Sequence, residues 1–407
     1  GYEVFRNVIR DTIQKSLEDN KKQNMKLDIL MEVYIDIKMN IVENKEAIND
    51  FIDCVIEISD SVNSDNWNGE DVMGIFFNEF NRYKKKSESG QVFTPDHITS
   101  LMYKILEVNA NDKILDAACG SGAFLVKSMS NMIKEVGGIN TKEAKKIKEH
   151  SLFGIEFDRE IFALACANMM IHKDGKTNLE QLDSRDKEAS EWIKSKGITK
   201  VLMNPPFERK YGCKKIVENV LNSVPSGIKC AFIMPEKKME KDKMGKLLEK
   251  HHLEAIIKLP EKLFDAGVTT SIYVFETGKK QVGEIYGCYI EDDGLERVKN
   301  QGRQDIKDKW MELENYWVDS IRKRNDTKYG TSQWIDPKKF LSYQKPKAEF
   351  VLYEEDFVKT MMNYLMFKNK IDVKEFSDKL INKTLYNSEI LKEDNNIVIK
   401  IKDAEDE

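Results

Sequence analysis

Short apolar runs alternate with longer stretches of helical periodicity between residues 113 and 276, and this alternation constrains the fold most strongly. The apolar runs are predicted strands at 113–116, 152–155, 201–203, 230–234, 255–259 and 272–275. Helices are predicted between them at 123–136 and 159–172, with an extra charged helix over 141–149. Strands separated by helices are typical of a mostly parallel sheet that is covered on both faces. The sequence therefore predicts an α/β fold.

Two further regions flank this α/β part, since 407 residues exceed the usual size of one domain. Residues 1–88 repeat apolar side chains at three- and four-residue spacing, which predicts a helical N-terminal domain. A new helix is predicted after Thr94 and Pro95, with the Thr94 hydroxyl as its cap. We therefore predict a catalytic α/β domain over 89–280 and a C-terminal extension over 281–407. Contact with a partner or with DNA is a hypothesis for that extension, which includes a predicted helix over 355–371.

Composition argues against several classes of protein. No apolar run approaches the roughly 20 residues that span a bilayer, and no signal-peptide segment is visible, so a cytoplasmic protein without a membrane partner is expected. The six cysteines form no CxxC pair and the five histidines no HExxH motif, which argues against a disulfide framework and against a metal site. The net charge is −5, so any DNA-binding surface has to concentrate its basic residues locally or borrow them from a partner.

A turn of small residues, DAACGSGAF, follows the first predicted strand. The strand ends in Asp116, and Ala118, Gly120, Ser121 and Gly122 lead into the next helix. Small residues let the backbone approach a ligand closely, and the first N–H groups of a helix are available to bind it. Such turns also connect strands to helices in many Rossmann-like folds without any ligand. These five residues are therefore candidate cofactor-binding residues, with a plain structural turn as the alternative.

An acidic residue, Glu156, stands at the end of the second predicted strand. Doubly wound folds use an acid at this position to accept hydrogen bonds from ribose hydroxyls. The spacing from the turn is longer than usual, and the extra helix over 141–149 accounts for the difference. Asp158, two residues later, is predicted to cap the following helix instead. We therefore assign the ribose to Glu156.

The segment Asn204-Pro205-Pro206-Phe207 follows the third predicted strand and supplies the candidate catalytic residues. Two prolines fix the backbone and remove two N–H donors, which leaves carbonyl groups pointing outward. The lone pair of an exocyclic amine is delocalised into its ring. The Asn204 side-chain oxygen and the Pro205 carbonyl can accept hydrogen bonds from that amine, which favours a tetrahedral nitrogen whose lone pair faces a sulfonium methyl group. Phe207 offers a face on which a base swung out of a duplex can stack. A rigid turn is the structural alternative.

These segments, together with Gly90-Gln91-Val92-Phe93-Thr94-Pro95, resemble the amino-methyltransferases that modify the N6 atom of adenine in DNA. More narrowly, they resemble the modification subunit of type I restriction-modification systems. The order of cofactor motifs before the catalytic motif is that of the family, and the later segments 231–235, 257–260 and 269–272 are also similar. The resemblance implies that Gln91, Phe93, Thr94 and Pro95 belong to a segment whose helix packs over the methionine end of the cofactor.

The resemblance implies a Rossmann-like class I methyltransferase fold, in which a helical N-terminal domain precedes a mostly parallel doubly wound sheet. It implies S-adenosylmethionine as the cofactor, with Asp183 at the adenine amino group and Phe157 packed on that adenine. A solvated loop acid is the alternative for Asp183, and a core position is the alternative for Phe157. The expected partners are double-stranded DNA and a DNA-specificity subunit, and a restriction subunit is left open.

The catalytic motif alone leaves the acceptor open. Similar NPP(F/Y) motifs also serve methylation of RNA guanine at N2 and of glutamine side chains in proteins. The GQVFTP segment favours DNA, because it is the part least shared with those enzymes. A non-catalytic scaffold that keeps the fold is a further hypothesis, and the intact motif from Asn204 to Phe207 argues against it. The sequence therefore predicts a site-specific DNA-methyltransferase that acts on adenine.

Overall fold

The structure, a computed structural model, describes residues 8, 45–75, 94–172, 178–207, 212–240, 245–261, 263–264, 268–298, 302–325, 331–346, 353–386, 388–393 and 396–401. The chain forms two compact units, Gly1–Gln344 and Lys345–Glu407, and each is described by itself. No helix within these ranges is both long and apolar enough to cross a membrane.

Helices and strands alternate along most of the described part of the first unit. Its helices are α1 (Lys45–Val62), α2 (Asp96–Ile105), α3 (Ala123–Glu135), α4 (Lys142–His150), α5 (Arg159–Ile171), α6 (Lys187–Lys194), α7 (Cys213–Ser223), α8 (Glu236–Glu240), α9 (Gly245–Leu248) and α10 (Trp310–Lys323). Its strands are β1 (Ile114–Asp116), β2 (Leu152–Glu156), β3 (Asn178–Gln181), β4 (Lys200–Met203), β5 (Lys229–Pro235), β6 (His252–Lys258), β7 (Thr270–Glu276), β8 (Ile285–Tyr289), β9 (Glu296–Val298), β10 (Gly302–Gln304) and β11 (Ser332–Ile335).

Among the described residues, one nine-stranded sheet forms the centre of this unit, in the order β11-β8-β6-β7-β5-β4-β1-β2-β3. Strands β3, β2, β1, β4 and β5 are parallel, whereas β7 runs antiparallel to both β5 and β6. The outer strand β8 is parallel to β6, and β11 is antiparallel to β8. The predicted mostly parallel, doubly wound sheet is confirmed. Because β1 connects to β2 on one side and has β4 on the other, a crevice is expected at the carboxyl ends of β1 and β4.

Apolar side chains pack on both faces of the sheet. Ile114 and Leu115 are both fully buried in β1, yet they belong to different clusters of the core. The reason is that successive strand residues point to opposite faces. Phe124 of α3 packs in the cluster of Ile114, and Val217 of α7 packs in the cluster of Leu115. The helices therefore cover the sheet from both sides, which holds the strand ends in fixed positions.

All six strands predicted from apolar runs are present, as β1, β2, β4, β5, β6 and β7, and the extra charged helix is present as α4. The apolar pattern did not reveal β3, β8 and β11. Strands β3 and β11 are the two edges of the sheet and are rich in polar residues. The predicted boundary after residue 280 falls between β7 and β8, which belong to the same sheet. The predicted boundary after residue 88 lies outside the described residues.

The second unit contains two helices and a hairpin, α11 (Glu354–Lys368), α12 (Val373–Tyr386), β12 (Ser388–Glu393) and β13 (Asn396–Ile401). The strands β12 and β13 pair antiparallel. The helix predicted over 355–371 is confirmed as α11. Its large apolar side chains, including Phe357, Met361 and Phe367, are exposed.

Candidate active site

The predicted site residues come together in one pocket at the carboxyl ends of the parallel strands. Asp116 is the last residue of β1, Glu156 is the last residue of β2, and Asn204 directly follows β4. The predicted residues that line the pocket are Thr94, Asp116, Ala118, Gly120, Ser121, Glu156, Phe157, Asp183, Asn204, Pro205, Pro206 and Phe207. The other four predicted residues are Pro95 and Gly122, which are the N-cap residues of α2 and α3, and Gln91 and Phe93, which lie outside the described residues.

The turn between β1 and α3 has a backbone that favours glycine. Gly120 and Gly122 have φ angles of 56° and 95°, in the left-handed region that side chains with a Cβ atom disfavour. The Cys119 N–H donates to the Ile155 carbonyl over 3.0 Å, which fastens the turn to β2. The Gly120 N–H donates to Glu156 Oε2 over 3.0 Å. The two glycines therefore allow the turn to lie close against the end of β2.

Backbone amides orient the Glu156 carboxylate. Its Oε1 atom accepts a hydrogen bond from the Asp158 N–H over 2.8 Å, beside the bond from Gly120. Burial raises the pKa of Glu156, and the bonds from these amides oppose that effect. Asp158 has the capping role predicted for it, since its carboxylate accepts from the Glu160 and Ile161 N–H groups at the start of α5. Glu156 therefore faces the pocket with a fixed orientation.

A second acid, Asp116, lies deeper in the same pocket and is only 1% exposed. Its Oδ1 atom accepts from the Ala118 N–H over 3.1 Å. Burial, with the negative charge of Glu156 adding to it, raises the pKa of Asp116 to about 8. Neither acid forms an ion pair with any residue in the described part of the chain. Two acids of raised pKa in one pocket favour a ligand that carries positive charge.

Replacing Asp116 with asparagine is expected to change how the stability of the ligand-free chain depends on pH. The folded pKa of about 8 lies above the ordinary aspartate value, so the wild-type chain loses free energy of unfolding as the pH rises from about 4 to about 8. Asparagine keeps an acceptor for the Ala118 N–H and has no proton to lose. Chemical denaturation at a series of pH values should therefore show the variant gaining stability over wild type across this window. Parallel curves for the two chains would contradict the raised pKa.

The side of the pocket after β3 contains an arginine that the sequence did not single out. Arg185 donates from Nε to Asp183 Oδ1 over 2.7 Å, and this hydrogen bond lowers the pKa of Asp183. The Arg185 guanidinium also lies over the Phe157 ring, 5.7 Å from its centroid. Phe157 is 55% exposed, so the alternative that it belongs to the core is wrong. Arg185 is two residues from Asp183 in the sequence, and this closeness is the signal that could have identified it.

The nitrogen of the Asn204 side-chain amide has a hydrogen-bond partner among the described residues, and its oxygen has none. Its Nδ2 atom donates to Thr94 Oγ1 over 2.9 Å. Its Oδ1 atom is buried and accepts no hydrogen bond from the residues that the structure describes. A buried carbonyl oxygen without a donor is unfavourable, so a ligand that supplies a donor is expected there. The predicted cap role of Thr94 is wrong, because Pro95 is the N-cap residue of α2 and no side chain caps that helix.

Phe207 is held both by its ring and by its backbone. The ring packs edge to face on Phe264, with centroids 5.4 Å apart and planes at 78°. The Phe207 carbonyl accepts a hydrogen bond from Lys238 Nζ of α8. Phe264 is buried and follows β6, so the chain after β6 supports the aromatic residue of the candidate catalytic motif.

Comparison with known proteins identifies similarity in the part of the chain that forms most of this pocket. The sequence profile of the N-6 DNA Methylase family matches residues 68–226. The Type II restriction enzyme and methyltransferase RM.BcgI of Heyndrickxia coagulans is 30% identical over 340 residues, which cover 77% of this chain and 51% of that protein. The Type I restriction enzyme EcoEI methylase subunit of Escherichia coli is 22% identical over 215 residues, which cover 47% of this chain and 43% of that subunit. The chain therefore spans about half the length of the curated relatives it matches.

Among solved structures, the chain is similar to a modification subunit assigned to a type I restriction enzyme from Vibrio vulnificus YJ016. The TM-score is 0.51 and the identity is 18%, over 67% of this chain and 60% of that one. At this identity the likeness concerns the fold. Together with the strand order, it confirms the predicted Rossmann-like class I methyltransferase fold.

Proposed function

Because the N-6 DNA Methylase family matches residues 68–226 and the pocket lies largely within that region, we propose that the chain transfers a methyl group from S-adenosylmethionine to the N6 amino group of adenine in DNA. We further propose that it does so as the modification subunit of a restriction-modification system. The observation that carries the proposal is the hydrogen bonding of the Asn204 amide. Its oriented, buried oxygen has no donor among the described residues, which suits an amino group as the acceptor of the methyl.

The residues of the pocket fit S-adenosylmethionine. Asp116 and Glu156 place two carboxyl groups of raised pKa in the pocket, and the cofactor carries a sulfonium and an ammonium group. Glu156 would accept hydrogen bonds from the ribose, and the turn from Gly120 to Gly122 would let the backbone approach closely. Phe157 would pack on the adenine, with Asp183 near the adenine amino group. When bound, the cofactor supplies a methyl group on a positively charged sulfur.

The chain's own residues would position the acceptor amine rather than remove a proton from it. Asn204 Oδ1 and the Pro205 carbonyl would accept hydrogen bonds from the two amino hydrogens. Thr94 keeps the Asn204 amide in the orientation that presents Oδ1, because it accepts from Nδ2. Phe207, held by Phe264 and Lys238, would stack on the extrahelical base. The nitrogen loses its proton after the methyl arrives, so alignment is the main contribution of the site.

Partner subunits are part of the proposal. The net charge of −5 is unfavourable for tight DNA binding by this chain alone. The names of the relatives describe methylase subunits and a combined restriction enzyme and methyltransferase. We therefore propose double-stranded DNA and a DNA-specificity subunit as partners, and leave a restriction subunit open.

The acceptor is tested by offering duplex DNA, RNA and protein in parallel to the chain assembled with the subunits encoded beside it. Labelled S-adenosylmethionine supplies the methyl group, and mass spectrometry identifies the labelled nucleoside or amino acid. We expect N6-methyladenine in DNA. Label in RNA guanine or in glutamine would overturn the assignment of the acceptor, and absence of label in all three would favour a non-catalytic scaffold.

A further inference from the structure

A short segment before the cofactor turn, residues 67–75, packs directly on α3. The buried Lys127 Nζ donates to the Asn68 carbonyl over 2.7 Å, and Ser130 Oγ donates to the Trp67 carbonyl over 3.1 Å. Gly69 has a φ of +79°, and a Cβ atom there would lie 2.8 Å from Ser130 Cβ. The contact leaves no room for a larger residue. The docked segment therefore touches the helix that directly follows the proposed cofactor-binding turn of Gly120 and Gly122.

Within this segment, Asp71 contacts the turn itself. Ser121 Oγ donates to Asp71 Oδ2, and the Gly74 N–H donates to Asp71 Oδ1 over 2.8 Å. Asn168 of α5 bridges Asp71 and Ser121. Its Nδ2 atom donates to Asp71 Oδ1 over 2.7 Å and to the Ser121 carbonyl over 2.9 Å. The side chain and the carbonyl of Ser121 are thus both held, by residues that do not line the pocket.

We propose that Asp71 is a positioning residue for the cofactor: it holds Ser121, and docking of residues 67–75 thereby sets the affinity of the pocket. The proposal rests on the proposed function, since it concerns the same S-adenosylmethionine site. It also links that site to the part of the chain before α2.

The physical reason lies in the two glycines on either side of Ser121. Gly120 and Gly122 have access to more backbone conformations than other residues, so the turn has little intrinsic preference for its bound shape. Contacts from outside the turn have to supply that preference. A turn already ordered before binding loses less entropy when the ligand arrives, which strengthens binding. Asp71 and Asn168 are the side chains that restrain Ser121 in this way.

Hydrogen exchange of the ligand-free full chain tests the restraint directly. In Asp71→Ala, the amides of residues 120–123 should exchange faster than in wild type. Asp65→Ala is the matched control, because Asp65 lies in the adjoining segment but accepts from the Ile139 N–H, after α3, over 2.9 Å. That variant should leave exchange in the turn unchanged. Wild-type exchange in Asp71→Ala would overturn the proposal.

Calorimetric titration with S-adenosylmethionine tests the consequence for binding. Asp71→Ala should bind about tenfold or more weakly, the loss typical of one charge-assisted hydrogen bond, while Asp65→Ala binds as wild type. Glu156→Ala, which lacks the proposed ribose acceptor, is the positive control for weakened binding. If Asp71→Ala does not fold, Asp71→Asn replaces it, because it keeps the Oδ1 acceptor but loses the charge, and a smaller loss in the same direction is expected.

A double-mutant cycle separates positioning from a general loss of stability. If Asp71 acts through Ser121, the effects of Asp71→Ala and Ser121→Ala on affinity should be strongly non-additive. Additive losses would mean that Asp71 acts elsewhere and would overturn the proposal. If wild type itself does not bind S-adenosylmethionine, the proposed function fails, and the hydrogen-exchange result still decides whether Asp71 restrains the turn.

Discussion

Replacing Asn204 with alanine is expected to lower the single-turnover rate of methyl transfer to duplex DNA by about 10²–10³-fold, as removal of one preoriented hydrogen-bonding group does in other enzymes. The Asn204 oxygen is buried, is oriented by Thr94, and accepts no hydrogen bond within the described ranges. Alanine removes this acceptor and leaves the Pro205 carbonyl alone to hold the amine. The loss should not depend on pH, because the proposed role of Asn204 is to align the amine and not to take up its proton. The measurement uses the assembled enzyme with saturating cofactor at several pH values.

Two further variants separate the possible causes of this loss. Asn204→Asp keeps an acceptor oxygen but loses the Nδ2 donor to Thr94, so partial activity is expected. Asn222→Ala is the matched control, because the Asn222 amide donates to the Glu218 carbonyl within α7 and is exposed. It should turn over as wild type. Cofactor affinity should stay near the wild-type value in all three variants. If Asn204→Ala turns over at the wild-type rate, the motif from Asn204 to Phe207 is a rigid turn and not a catalytic site.

The central strands could be predicted from the sequence because burial on both faces requires a continuous apolar run. That rule identified β1, β2, β4 and β5. Asp116 and Glu156 end β1 and β2, and Asn204 directly follows β4. It fails at the two edges of the sheet, where only part of the strand is buried, and it also missed β8, which is buried between β6 and β11. Strand β3 reads Asn-Leu-Glu-Gln and only Leu179 is fully buried in it. The predicted site residues lie mostly at the carboxyl ends of central strands, so the candidate site could be located without the edge strands.

The contacts between site residues could not be predicted in the same way, because they join segments far apart in the sequence. Thr94 and Asn204 are separated by 110 positions, and Asp71 and Ser121 by 50. A Thr-Pro-Asp sequence is an ordinary helix start, so the local rule gave Thr94 the role of a cap. In the folded chain, the Thr94 hydroxyl accepts a hydrogen bond from Asn204 instead. Local sequence thus identified the candidate site residues, while the fold determined which of them are in contact.

Replacing Phe207 with alanine is expected to weaken productive DNA binding by about 5- to 150-fold, the range for loss of one base–aromatic stacking contact. Alanine also removes the edge-to-face contact with Phe264, so the target base would meet a wider space. Phe207→Tyr should remain close to wild type, because any aromatic face can stack on a base. Single-turnover rates measured against DNA concentration separate the loss of binding from a loss in the rate of transfer.

The same variant can test whether the stacking acts on an extrahelical adenine. Swinging a base out of the duplex requires unpairing and unstacking, and a mispaired base leaves more easily. If Phe207 stacks on the extruded adenine, the wild-type enzyme holds that base whether it comes from a paired or a mispaired duplex. Without this contact, the activity of Phe207→Ala depends on how easily the base leaves the duplex. The defect of Phe207→Ala should therefore shrink when the target adenine is mispaired. An equal defect on paired and mispaired DNA would mean that Phe207 supports the pocket through Phe264 and does not stack on the base.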